Sequence, residues 1–229
     1  MEKTVELVID YPSNIASALL KDEIDVGLVP VAIIPEMKNH YIISDYGITS
    51  DGEVASVCLF SEVPVEDIKV VLLDYQSRTS VELIQILLTE YWKINPVFQT
   101  AELDFQQKIS GSTAAVVIGD RAFEQRTVSK YSYDLGTAWK QLTGLPFVFA
   151  AWVSNKPLGN EFIQNFNEAI AFGLNHIDEV VKQNPFPLFN LQEYFTRFIR
   201  YGLTTANRRG LKMFLQKVGE RSGKQIPFF

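Results

Sequence analysis

The sequence predicts an α/β chain of two lobes with a helical C-terminal tail. Three observations predict it. Short β-rich apolar runs alternate with stretches of helical spacing through the first two thirds of the chain. A proline-marked break, "SEVPVEDI", and a later apolar run, "PFVFAAWVS", enclose a self-contained α/β stretch, so the chain crosses between lobes twice. From Asn160 to Arg221 the pattern is almost entirely helical. The lobes then comprise residues 1–61 with 150–229, and residues 62–149.

The elements follow in order. "VELVID" (Val5–Asp10) alternates and is β-rich, which reads as a strand. The next stretch places Ile15, Ala18 and Leu19 at helical spacing, with Ser13 or Asn14 available as a cap. "DVGLVP" is a short buried strand, "VAIIPEM" one or two helical turns, and "HYIIS" a strand. "GEVASVCLF" (Gly52–Phe60) is a longer strand that would contain Ser56. Strand, helix, strand in repetition argues for a parallel sheet with crossover helices in this first part. Beyond Pro64, "KVVLLD" is a strand, Ser80–Tyr91 a helix and "PVFQT" a strand. Asp104–Ile109 is then a helix and "AAVVIGD" a strand. A further helix is capped by Asp134 and stopped by Gly144. Phe147, Phe149 and Trp152 read as core. The tail breaks at "NPFPLFN" and near Gly202–Thr205.

Composition narrows the function. The 229 residues are 47% hydrophobic, enough for a sizeable core. A net charge of −6 leaves no global basic footprint for nucleic acid. The single cysteine, Cys58, excludes an intrachain disulfide and a cysteine-rich zinc site. His40 and His176 stand far apart, without metal-site spacing. The N-terminus lacks the apolar run of a signal peptide, and no stretch approaches a membrane span, so the expectation is a soluble cytoplasmic protein.

The densest polar feature is "DYQSRTS", between an apolar strand and a helix. A helix starting near Ser77 or Arg78 directs unpaired N–H groups, and the positive end of its dipole, at the turn. Ser77, Thr79 and Ser80 add hydroxyls, and Arg78 can make a charge-assisted contact to a carboxylate. The turn reads as an anion clamp or as a helix cap with an exposed arginine. Local pattern alone favours the cap, because caps are common and anion sites rare. Ser56 is either a tolerated small residue or a hydroxyl facing a cleft. It is not in a G-x-S-x-G elbow and has no histidine placed to activate it, so a serine hydrolase fits poorly. Gly119-Asp120 reads first as a strand end with a cap, and Arg208 and Arg209 as a solvated helix face.

Taken in order, "PSNIASALLKDEIDVGLVPVA", "GEVASVCLFSEVP", "LDYQSRTSVELIQILL", "AAVVIGDRAF" and "YDLGTAWKQLTGLPFVFAAWV" resemble the chorismate dehydratase family of the futalosine route to menaquinone. The resemblance runs from about Tyr11 to Val153. It implies a two-lobed, type II periplasmic-binding-protein-like fold used as a cytoplasmic enzyme. It also implies cofactor-free loss of water from chorismate to give 3-[(1-carboxyvinyl)oxy]benzoate. By position, Ser56 corresponds to a serine near the reacting centre, and Ser77, Arg78, Thr79 and Ser80 to the carboxylate-binding turn. Val29 and Pro30 correspond to a strand end facing the cleft, and Gly119, Asp120, Thr143 and Gly144 to cleft-wall elements.

One departure is expected to matter. Members of that family usually begin with a strand and a motif resembling S-Y-L-N-x-x-P, whose asparagine lies in the cleft. Here "EKTVELVID" looks like the second strand. The expectation is a gap or an unpaired edge in the first lobe. The sister dihydroxynaphthoate synthases and a non-catalytic carboxylate-binding protein of the same fold are the competing readings. The expected partner is a small-molecule substrate, with the oligomeric state left open between monomer and homodimer.

Overall fold

The computed structural model describes residues 5–74 and 77–223. The first sheet and its flank contain α1 (Pro12–Leu20), β1 (Val26–Pro30), β2 (Tyr41–Ser50), β8 (Phe147–Ser154) and β9 (Arg200–Gly202). The second sheet comprises β3 (Val57–Ser61), β4 (Val70–Leu73), β5 (Val97–Thr100), β6 (Thr113–Ile118) and β7 (Tyr131–Asp134). Its helices are α2 (Arg78–Glu90), α3 (Asp120–Arg126) and α4 (Leu135–Thr143). The tail adds α5 (Asn160–Leu174), α6 (Ile177–Gln183), α7 (Leu191–Glu193) and α8 (Thr205–Ser222).

The strand orders are β1-β8-β2-β9 and β5-β4-β6-β3-β7. The second sheet is mixed: β4 runs parallel to β5 and β6, and β3 runs antiparallel to β6 and β7. The first sheet corrects the expectation of a parallel sheet. β1 and β2 share a direction but never pair, because β8 returns from the second sheet and inserts antiparallel between them. β3 corrects the first boundary. It pairs with β6 and β7, so the chain changes sheets across residues 51–56, ahead of the Pro64 break.

The segment Val5–Asp10, expected as a strand, forms none and is exposed, with Ile9 87% accessible. Alternation supplies half of what a strand needs, and a paired neighbour supplies the rest. β1 is correspondingly an edge strand. Helix α1 begins on Pro12 with Tyr11 as its N-cap, not Ser13 or Asn14; a proline at the first helical position gives up only an N–H that would be orphaned anyway.

α2 ties the two sheets together. Leu83, Ile84, Ile86, Leu87 and Leu88 are buried in the main core. That core also takes in Ile33 and Ile34 from the 3₁₀ turn after β1, Phe147 and Phe149 of β8, and Phe214 and Leu215 of α8. The α8 backbone lies so close to Pro146 that a Cβ on Gly210 would sit 2.2 Å from the Pro146 carbonyl oxygen. α8 opens on a capping box between Thr204 and Asn207.

Candidate functional site

Ser56 lies outside the strand in which the sequence places it. It follows a tight turn in which its own N–H donates to the Val54 carbonyl at 2.8 Å. The residue between, Ala55, has φ +65°. A bond from residue i to i+2 with a positive φ at the centre is a strained arrangement for an L-residue. The surroundings over-determine it. Val54 and Ala55 N–H both donate to the Asp134 carboxylate, at 3.1 and 2.8 Å. The Ala55 carbonyl accepts from Arg126 Nε at 3.0 Å, and the Ser56 carbonyl accepts from Gly119 N–H at 2.9 Å. Every backbone polar group from Val54 to Ser56 is thereby bonded.

Asp134 does double duty, since it also caps α4 by accepting from Thr137 N–H at 2.9 Å. Arg126 faces it at 3.8 Å and reaches Glu53 at 3.9 Å. Gly119 has φ +65° and ψ −146°, a region open essentially to glycine alone. It is the N-cap of α3, and Asp120 is the first helical residue, not the cap. The Gly119–Ser56 bond places Gly119 and the start of α3 beside Ser56.

The Ser56 hydroxyl is 2.8 Å from the Tyr194 hydroxyl. Tyr194 opens a π-helical turn, Tyr194–Phe198, closed by Ile199 N–H donating to the Tyr194 carbonyl at 3.0 Å. Its ring packs edge-on against Phe123, with centroids 5.3 Å apart, and near Phe189. Burial, with a further push from the Asp120 carboxylate, raises the Tyr194 phenol above its ordinary value, against the hydrogen bond with Ser56. The sequence reading missed Tyr194. Its one signal was an aromatic-rich break in an otherwise helical tail.

The second cluster is the start of α2. Ser77 is its N-cap: Ser80 N–H donates to Ser77 Oγ at 3.2 Å, and Ser77 Oγ donates to Ser80 Oγ at 2.8 Å. Thr79 is buried and spans the sheets. Ala32 N–H donates to Thr79 Oγ1 at 3.3 Å, and Thr79 Oγ1 donates to the Phe149 carbonyl at 3.1 Å. That bond brings the end of β1, with Val29 and Pro30 buried, against the turn. Arg78 points to the surface, 3.1 Å from Glu36. Tyr75 and Gln76 lie outside the described residues.

An ion pair on a buried carboxylate links the two clusters. Arg121, next to Asp120, holds Asp74 at 2.7 Å, and Asp74 accepts from Ser77 N–H through its carbonyl at 3.3 Å. Neither residue was singled out by sequence. Thr143 and Gly144 are placed elsewhere, at the far end of α4 from Asp134. The Thr143 hydroxyl donates to the Trp139 carbonyl and accepts from Leu145 N–H, while Gly144 closes the helix at φ +71°.

An antiparallel sheet and a mixed sheet, between which the chain crosses twice, define the class: an α/β protein of the periplasmic-binding-protein-like fold. A crystal structure of a protein from Archaeoglobus fulgidus superposes with a TM-score of 0.71 at 16% identity, covering 95% of this chain and 86% of that one. The periplasmic aliphatic sulphonate binding protein of Escherichia coli superposes at 0.54 with 16% identity, covering 93% and 75%.

Within that class the chain belongs to the menaquinone biosynthesis family, whose profile matches residues 1–220. It is similar to the chorismate dehydratase of Thermus thermophilus, 29% identical over 91% of this chain and 84% of that protein. Among the described residues no helix is long and apolar enough to cross a membrane.

Proposed function

We propose that the protein is a cytoplasmic chorismate dehydratase of the futalosine route, giving 3-[(1-carboxyvinyl)oxy]benzoate without a cofactor. The observation that carries this is the 29% identity to a chorismate dehydratase across most of both chains. The local geometry agrees with it. The reaction removes a ring C–H proton and a hydroxide and leaves an aromatic ring, so the protein must chiefly hold a dianion and help hydroxide depart. The start of α2 supplies N–H groups and the helix dipole for a carboxylate. Ser56, 4% accessible and fixed by its strained loop, supplies a hydroxyl for the departing group. Asp120 is exposed at the start of α3 and is assigned a structural role; the substrate's own carboxylate takes the ring proton.

The test is incubation of the purified protein with chorismate, read by the absorbance and mass of the aromatic ether. Turnover is expected. Binding of chorismate without product would favour a carboxylate-binding protein instead. In the clamp reading Arg78 exchanges Glu36 for the substrate carboxylate, so Arg78→Ala is expected to raise KM by about tenfold, the order of a lost charge-assisted hydrogen bond. An unchanged KM would remove Arg78 from the clamp.

A further inference from the structure

Resting on the dehydratase reading, we propose that Tyr194 is a positioning residue for Ser56: its phenol donates to Ser56 Oγ and turns the serine hydroxyl toward the departing substrate oxygen. Three observations converge. The two oxygens are 2.8 Å apart, and Ser56 is otherwise held entirely through its backbone. The backbone fixes where the serine oxygen sits but leaves its hydrogen free to rotate, so a fixed partner is needed to set that direction. Tyr194 is such a partner. Its ring is wedged against Phe123 and Phe189. It also starts a π-turn, a feature that concentrates at functional sites because it re-aims one side chain within a helical stretch.

The direction of donation follows from chemistry. A phenol is a stronger donor and a poorer acceptor than an aliphatic hydroxyl. The groups that act on this phenol are Ser56 and the Asp120 carboxylate, and Tyr201 of β9 lies close enough to feel it in turn. Burial and the Asp120 charge both keep the phenol protonated, and therefore a donor. With Tyr194 donating, the Ser56 proton is left to point at substrate. Hydrogen bonds in such a chain strengthen one another, so the serine becomes a better donor to developing hydroxide. In that step the ring C–H and C–O bonds break and the C–H electron pair becomes the new ring double bond. The substrate's own carboxylate takes the ring proton and passes it to the departing hydroxide, which leaves as water. Tyr194 and Ser56 exchange no proton with substrate.

Steady-state kinetics on chorismate tests this with the Tyr194→Phe, Ser56→Ala and double variants. Tyr194→Phe is expected to lower kcat by about 10- to 100-fold with KM changed by no more than about threefold, a loss confined to the transition state. In the Ser56→Ala background the same change should cost no more than about twofold, because its target is gone. Equal losses in both backgrounds, or a kcat within about twofold of wild type, would overturn the proposal. Should the phenylalanine variant fold poorly, a ring-fluorinated tyrosine at position 194 keeps the packing and acidifies the phenol. The alkaline fall in kcat should then move to lower pH; an unmoved profile would also overturn it. Wild-type protein without any turnover sinks the dehydratase reading and this one together. A turning-over wild type with uncoupled variants sinks this one alone.

Discussion

At the scale of single residues, the chemistry around Ser56 is set by groups that are not themselves reactive. Cys58 shows this best. It lies two residues from Ser56, is fully buried, and donates weakly to the Ala55 carbonyl at 3.5 Å. Burial, then the Asp134 charge, push its thiol up to about 12, against the opposing pull of Arg126. A thiol so held stays protonated and is no nucleophile. Native protein at pH 8 is therefore expected to resist thiol reagents, with labelling that follows unfolding. Fast stoichiometric labelling of folded protein would contradict this burial. Some of these roles were legible in sequence. Asp134 was read as a helix cap and accepts the N–H that a cap should, and of the turn left open between cap and anion clamp, Ser77 is the residue that caps. The geometry of Ser56 was not legible, because nothing in "EVAS" announces a positive φ at alanine. That conformation is imposed from outside by Asp134, Arg126 and Gly119, which are 79, 71 and 64 residues away from Ala55 along the chain.

At the scale of elements, helix starts carry the candidate site and strand order carries its frame. The beginnings of α2, α3 and α4 all adjoin it, so three helix N-termini supply N–H groups or caps to one region. Asp134 joins two of these roles, capping α4 and bonding the loop before Ser56. Asp134→Ala is expected to cost about 1–3 kcal/mol of stability, more than a cap alone, because the Val54 and Ala55 N–H groups lose their acceptor. It should also lower kcat by releasing Ser56, whereas Ser77→Ala should cost about 1 kcal/mol as a simple cap loss. Urea titrations of both variants, with activity measured beside them, check the difference. A stability change in Asp134→Ala no larger than in Ser77→Ala would show that the loop does not depend on it. Element types were largely legible from spacing, whereas strand neighbours were not. β8 was read as a crossing back and is one, but its place as an inner strand between β1 and β2 was not legible, and β9, three residues long, gave no periodic signal at all.

At the scale of the whole molecule, polar contacts bridge the two sheets or their attached segments. Among them are Thr79 between Ala32 and Phe149, Tyr194 against Ser56, and Lys217 and Arg221 of α8 on Glu90 and Gln85 of α2. The C-terminal segment is thus part of the frame, and its tyrosines give the fold a measurable dependence on alkali. Burial pushes the Tyr201 phenol up to about 12, with Tyr194 adding to the effect, and Tyr194 is itself raised. A phenol whose folded pKa exceeds its unfolded value of about 10 keeps its proton in the native state after the unfolded chain has released its own. The associated stability is fully present below pH 10 and is lost as pH climbs toward about 12. Wild-type Tm is therefore expected to be flat from neutral pH to pH 9 with respect to these groups and to fall across the window above. Tyr201→Phe removes one of the two, so its Tm should fall less steeply there while remaining close to wild type at pH 7. Calorimetry in a pH series reads the two slopes directly. Parallel curves for wild type and variant would mean that Tyr201 releases its proton as readily in the folded chain as in the unfolded one.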